Sequence, residues 1–355
     1  MNTAGRITGI GQGGHITLAH GGGGTAMRAL IDDVFLQAFG NDPAVAQEDQ
    51  ARFPLSRFTA EGDRLAFTTD AFVVEPLEFP GGDIGTLAVC GTVNDLAVGG
   101  ARPVALSAAF ILAEGLELAT LRRVVASMAA CARAAGVRIV TGDTKVVPRG
   151  ACDGLFITTT GIGTLPAGCD ISIAGGRAGD VVIVNGTLGD HGAAILCARG
   201  DLALDTAIES DCAALNGLTQ ALLDAVPDVR AMRDATRGGV AGVLTELAEA
   251  SGVTVRIEED RLPIRPDVAG LCELLGLDPL YLANEGKLVA VVPAEAAQRA
   301  LAAMHAHPLG RNAAVIGTLA EIPASGRRGD VRLVNRLGGQ RVVTMPMGEQ
   351  LPRIC

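Results

Sequence analysis

The chain alternates short β-branched runs with helical stretches, and does so in two successive blocks. In the first, "RLAFTTDAFVVEPLEF", "PVALSAAFILA", "VRIVTGD" and "GLFITTTGIG" read as strands bounded by glycine, proline and acidic turns. Between them run helices. "TAMRALIDDVFLQAF" keeps Met27, Leu30, Ile31, Val34, Phe35 and Phe39 at helical spacing, and "IGTLAVCGTVNDLAVGGA" and "ELATLRRVVASMAACARAAG" end on glycine. The second block starts at "AGDVVIVNGTLGDHGAAILCARG". Its helices are "DCAALNGLTQALLDAV", "VAGLCELLGL" and "AEAAQRALAAMHA"; its strands are "VTVRIEE", "KLVAVVP", "AAVIGTLAEI" and "VRLVNR". Glycine, alanine and proline gather at the join, around residues 165–180. Such interleaving requires helices laid on sheets, and 355 residues suffice for two cores. After Met345-Pro346 periodicity stops, and the chain runs as an extended mobile tail to a terminal Cys355.

Composition narrows the class. No run of about twenty apolar residues occurs, so no membrane span is expected. The start, "MNTAGRITGIGQGG", lacks a basic segment followed by an apolar block, and reads as a glycine-rich arm rather than a secretory signal. A net charge of −10, no Trp and one Tyr argue against a nucleic-acid surface, which needs cations for phosphates and rings for bases. Richness in Ala, Gly, Val and Leu suits an α/β or α+β enzyme of the cytoplasm. The eight cysteines form no CxxC pair and no zinc-type Cys–His spacing. Cys90, Cys131, Cys152, Cys169, Cys197, Cys212 and Cys272 read as reduced core thiols. Cys355 lies outside any core pattern.

Three aspartates stand out by position. Asp70 closes the strand "LAFTTD", Asp143 follows "VRIVTG", and Asp95 interrupts an apolar helix. Carboxylates just beyond buried strands can gather Mg²⁺ and its phosphates; each can equally serve as a cap or turn former. Asp95 is the hardest to explain as structural, since an apolar face should not carry an unpaired charge. The run Gly21–Gly24 opens a helix and can bring N–H groups to a phosphate, or act as a hinge; no Walker lysine follows. "RDATRGG" reads as a polar loop in which Asp234 and the arginines meet a phosphate or metal, or make an N-cap with an ion pair. Glu285, before a buried strand, is an acid–base candidate or a turn residue. Lys145, beside Asp143, shares its cleft or is a solvated loop lysine.

"HGGGGTAM", "FTTDAFVVEPLEFPGGDIG", "CGTVNDLAVGGARP", "IVTGDTKVV", "GTLGDHGA", "RDATRGGV", "CELLGLDPLYLANEGK" and the terminal "PRIC" together resemble the HypE family of hydrogenase maturation factors. That family lies within the superfamily of aminoimidazole ribonucleotide synthetase and selenophosphate synthetase. The likeness runs from about His20 to Cys355; the arm Met1–Gly14 is an addition, and Thr86 stands where members often have lysine. It implies an α+β, two-domain aminoimidazole ribonucleotide synthetase-like fold with a flexible C-terminal tail. The division is an arm over 1–19, an ATP-binding and dimerisation domain over 20–165, a C-terminal α+β domain over 166–335 and a mobile tail over 336–355.

The resemblance also implies a reaction. A carbamoyltransferase, HypF, loads the terminal thiol; the chain then uses ATP to dehydrate the S-carboxamide to a thiocyanate. The cyano group passes to iron on the HypC–HypD complex. A homodimer paired through first-domain strands, in the cytoplasm, is implied. An amide oxygen leaves only once phosphorylated, so ATP and Mg²⁺ are needed. Under this reading Cys355 is the carrier and Glu285 and Lys145 the base or charge stabiliser. Gly22, Gly23, Gly24, Asp70, Asn94, Asp95, Asp143 and Asp234 hold the nucleotide, with Asp70, Asp95, Asp143 and Asp234 on the metal. A terminal cysteine cannot be prenylated, since that needs the fourth position from the end. The rivals are a superfamily ATP-dependent enzyme acting on a free substrate, and an ATP-gated scaffold.

Overall fold

The computed structural model describes residues 14–40, 50–200, 207–322, 329–345, 351 and 353–355. The first domain opens on a single helical run, α1 (Thr25–Leu30), a π-helical Ile31–Leu36 and α2 (Gln37–Phe39), stopped by Gly40 at φ 71°. A short α3 (Ser56–Thr59) leads to β1 (Arg64–Phe72) and a small hairpin, β2 (Glu78–Phe79) and β3 (Gly82–Asp83). Then follow α4 (Ile84–Val98), β4 (Arg102–Ala113), α5 (Leu118–Ala134), β5 (Arg138–Val147) and β6 (Leu155–Leu165). The sheet order is β1-β6-β4-β5; β4 and β5 are parallel, as their crossover through α5 requires. Alternation along β4 buries Leu106, Ala108, Phe110 and Leu112 on the helix side. The other face leaves Leu65, Phe67 and Ile111 exposed. Helix α4 is apolar nearly all round because both domains cover it. Asp83 caps it, accepting from the Thr86 N–H at 2.8 Å.

The second domain comprises β7 (Val181–Val184), α6 (Asp190–Ala198), α7 (Asn216–Ala225), β8 (Ala231–Asp234), α8 (Gly239–Ser251) and β9 (Thr254–Glu258). It continues through α9 (Pro266–Leu275), β10 (Leu288–Val292), α10 (Ala297–Ala306), β11 (Ala314–Ala320), β12 (Val331–Val334) and β13 (Gln340–Val343). The sheet runs β13-β12-β9-β11-β7-β10-β8. Its central strands β7 and β10 are buried at every residue, so they show no alternation. One face packs Val182 and Val184 under Val240 and Leu244 of α8; the other packs Ile183 and Ala290 against Leu218, Leu222 and Met304.

The structure departs from the sequence reading at four places. Asp70 and Asp143 lie inside β1 and β5 rather than beyond them, and on opposite faces of the sheet. The start of "RDATRGG" is strand, not loop: Asp234 pairs with Leu288, and two buried residues, Ala231 and Met232, are too few to show a period. Residues 340–343, assigned to the tail, form the edge strand β13. Within the arm, Ile16 is in the core and its N–H donates to the Leu116 carbonyl at 2.8 Å; residues 1–13 lie outside the described residues.

Candidate active site at the domain junction

Glu285 sits between the domains, in the turn before β10, with 2% of its surface exposed. Its loop is tied from three sides. The Asp211 carboxylate accepts the N–H groups of Glu285 (3.0 Å) and Gly286 (3.2 Å) and the Lys287 ammonium (2.9 Å). Asn284 accepts from the Gly189 N–H at 2.7 Å and donates to the Ala235 carbonyl at 2.9 Å. From the first domain, Asn94 donates to the carbonyls of Ala213 (3.0 Å) and Glu285 (3.2 Å) and accepts from the Leu215 N–H (2.7 Å). Glycine must follow the glutamate, because a Cβ on Gly286 would lie 1.9 Å from the Asp211 carbonyl oxygen.

The C-terminus reaches this glutamate. Ile354 bridges Val74, and its carbonyl accepts from His191 Nε2 at 2.7 Å. That fixes the tautomer: Nδ1 is the acceptor and takes the Ser210 hydroxyl at 2.8 Å. Burial holds the His191 pKa below its ordinary value, in keeping with a neutral ring. Arg353 pairs with Glu75 at 2.7 Å and Asp153 at 3.3 Å, and its carbonyl accepts from the Glu75 N–H and from Arg199. The Cys355 thiol thereby comes to rest beside the Glu285 carboxyl. Burial pushes both groups well above their ordinary pKa values; at Glu285 the charges of Asp211, Asp234 and Asp70 add to it. Glu285 Oε1 is buried with no partner among the described residues.

Beside this pair opens a cavity of about 250 Å³. Asp70 and Asp95 line it from the first domain, and Arg233, Asp234, Thr236 and Arg237 from the second. Asp95 is raised by burial, and the Thr68 hydroxyl donates to it at 2.8 Å. Asp234 is pushed up to about 6 by burial and by the charge of Asp95. Gly238 and Gly239, at φ 80° and 60°, turn the start of α8 at the cavity wall; a Cβ on Gly239 would lie 2.4 Å from the Leu280 carbonyl oxygen. The acids are oxygen donors, and the charge of Asp70 raises the pKa of Asp95 and Asp234, an arrangement a hard dication relieves. Among the described residues no three acids, histidines or cysteines converge enough to cage an ion alone.

Asp70, Asp95, Asp234, Glu285 and Cys355 therefore share one site. Asp143 and Lys145 do not join it in one chain. They pair at 3.7 Å on β5, two strands removed from β1 by β6 and β4, which at about 4.8 Å per strand is roughly 14 Å, and on the opposite face. Gly22, Gly23 and Gly24 lie on that side too, following Gly21, whose Cβ would come 2.8 Å from the Val146 nitrogen. Asn94, read as a nucleotide ligand, is buried in α4 with its amide bonded to the Glu285 loop and to Leu215. Sequence reasoning missed His191, Asp211, Asn284 and Lys287. "GDHGA" and "ANEGK" carried a hint, a polar residue set among small ones, but the partners lie far along the chain.

Comparison with known proteins places these features in a family. Residues 40–165 match the N-terminal domain and residues 177–327 the C-terminal domain of AIR synthase related protein. The carbamoyl dehydratase HypE of Rhodobacter capsulatus is 61% identical over 340 residues, 96% of this chain and 98% of that protein. A crystal structure of the hydrogenase maturation protein HypE in complex with ATP superposes with a TM-score of 0.89 at 48% identity, covering 95% of this chain and 99% of that one. A crystal structure of a HypE–HypF complex matches with a TM-score of 0.77 at 46% identity, covering 90% of this chain and 100% of that one.

Proposed function

The chain belongs to the HypE family of AIR synthase related proteins, and from that premise we propose that it uses ATP to dehydrate a carbamoyl group carried on its own Cys355. The product is a thiocyanate, from which a cyanide ligand is supplied to the active-site iron of [NiFe]-hydrogenase. One observation carries this reading: the terminal thiol rests beside the buried Glu285 carboxyl, within reach of the charges of Asp70 and Arg237, which line an acid- and arginine-rich cavity.

The chemistry follows from that placement. The carbamoyl oxygen attacks the γ-phosphorus of ATP, ADP leaves, and one amide proton departs to give an O-phosphorylated imidate. Loss of the second N–H proton expels phosphate and closes the C≡N bond. Glu285 is positioned to take that proton; a carboxylate whose pKa is raised by burial is a stronger base than one in water. Arg233 and Arg237 line the cavity and would meet the charge that develops on the phosphate. One or two of Asp70, Asp95 and Asp234 would hold Mg²⁺ beside the nucleotide's phosphates; the ion when bound neutralises phosphate charge and aligns the transfer.

A homodimer and the partners extend the reading. Leu65, Phe67 and Ile111 leave the outer face of the first sheet apolar and exposed, the kind of face a second copy covers. Packing two such sheets together is the arrangement that would carry Asp143, Lys145 and the glycine loop of one protomer toward the tail site of the other. Carbamoyl loading by HypF is supported by the solved HypE–HypF complex of a relative, and transfer to HypC–HypD by family membership. No helix among the described residues is long and apolar enough to cross a membrane, and a cytoplasmic setting is part of the proposal. The test is Cys355→Ser with the loading partner, carbamoyl phosphate and ATP. No thiocyanate is expected; thiocyanate from that variant would return the chain to an enzyme of free substrates.

A further inference from the structure

Three cysteines from three segments meet at a second cavity, of about 330 Å³, walled by Thr86, Cys90, Cys131, Cys212, Asn216 and His307. Cys90 comes from α4, Cys131 from α5, and Cys212 from the segment leading into α7. The sulfurs of Cys90 and Cys131 are 3.4 Å apart, and Cys212 lines the same cavity. All three are free thiols. A fully buried sulfur in contact with a partly exposed one, at the wall of a cavity that can admit a small molecule, is the geometry of an attacking and a resolving thiol.

We propose that Cys90 and Cys131 form a dithiol that a hydroperoxide converts to a disulfide, and that this bond loosens the clasp on the Glu285 loop. Cys131 is the attacking sulfur: both line the cavity, but Cys131 is partly exposed while Cys90 is buried. The hydrogen bond from Cys90 also lowers the Cys131 pKa, whereas Cys90 is held well above the ordinary thiol value by its neighbours Cys131 and Cys212. The Cys131 thiolate attacks one peroxide oxygen. The O–O bond breaks, the departing oxygen takes a proton, and a sulfenic acid remains on Cys131. Cys90 then attacks that sulfur; the S–S bond forms, the S–O bond breaks, and hydroxide leaves with the Cys90 proton as water. Two thiols have lost two electrons and the peroxide has gained them.

The coupling follows from helix geometry. Asn94 lies one turn beyond Cys90 on the same face of α4, and its amide holds Ala213, Leu215 and Glu285. Cys212 follows Asp211, which holds the other side of that loop. Bonded sulfurs stand about 2.05 Å apart, so closure draws Cys90 and its turn of helix toward α5 and away from the loop.

The experiment titrates the full-length protein with hydrogen peroxide, caps remaining thiols, maps disulfides by peptide mass spectrometry and follows amide hydrogen exchange. The expected result is a Cys90–Cys131 peptide that dithiothreitol abolishes, with exchange at Ala213–Leu215 rising about ten-fold in the oxidised form, as a lost cross-domain clasp would allow. Cys131→Ser should show neither change; if that variant folds poorly, the wild-type map decides alone. A cross-link between another pair, oxidation of Cys131 to sulfinic acid with Cys90 still free, or a cross-link with unchanged exchange would overturn the proposal. Neither readout depends on the reaction proposed above.

Discussion

The Cys355 thiol rests beside the Glu285 carboxyl, bringing the last residue of the chain up to a buried acid of the second domain. Docked in this way, the thiol is protonated at neutral pH and a poor nucleophile. Under the proposed function, loading would then belong to the undocked tail and dehydration to the docked one.

The balance between the two rests on Arg353. Its pairs with Glu75 and Asp153 are exposed and screened by solvent, so each contributes little. Its φ of 55° opposes them, since the left-handed region is unfavourable for a non-glycine residue. Arg353→Ala should raise the alkylation rate of Cys355 several-fold and lower dehydration by a similar factor, with loading retained. Unchanged alkylation would show that Arg353 does not hold the tail.

Glu285 gives a pH signature. Its folded pKa lies well above the unfolded one. The stability this confers is complete below the ordinary carboxylate range and is lost as pH rises through the raised folded value. Thermal melts of Glu285→Gln should accordingly be flatter with pH than those of wild type, the curves separating upward from that range. The same variant should lose about 10²-fold or more in dehydration while still accepting the carbamoyl group. Parallel melting curves would mean that Glu285 is ionised in the folded protein.

Asn94→Ala should cost about 3 kcal/mol of stability, because it leaves Leu215 N–H and two carbonyls unpaired in the junction. It should leave nucleotide affinity nearly unchanged in the folded fraction. A large loss of ATP binding without loss of stability would restore Asn94 to the nucleotide site.

If Lys145 serves the tail of the neighbouring protomer, inactive Lys145→Ala and inactive Cys355→Ala chains should complement each other once mixed and reassociated. Statistical pairing gives on the order of a quarter of the wild-type sites. Mixtures that stay inactive would place Lys145 outside the reaction or confine it to its own chain.

Much of this site can be traced to local signals. A lone aspartate in an apolar helix, an acid before a buried strand and a cysteine on an aperiodic tail drew attention to Asp95, Glu285 and Cys355. What local signals could not carry was the face of a strand. Asp70 and Asp143 look alike in sequence, yet register sets them on opposite sides of the sheet, with Asp70 opposite Thr159 and Asp143 opposite Ala109. Contacts such as His191 to Ile354, 163 residues apart, leave no periodic trace. Asn94 and Asp95 are adjacent, but a helix turns neighbours about 100° apart, so one clasps the second domain and the other faces the cavity.

The most direct measurement is the intact mass of the full chain after incubation with the carbamoyl-loading partner, carbamoyl phosphate and ATP, with Cys355→Ala alongside. The account predicts an adduct on wild type that then loses the mass of one water, and no adduct on the variant. Equal loading of the variant, or ATP hydrolysis with no adduct on either chain, would contradict it.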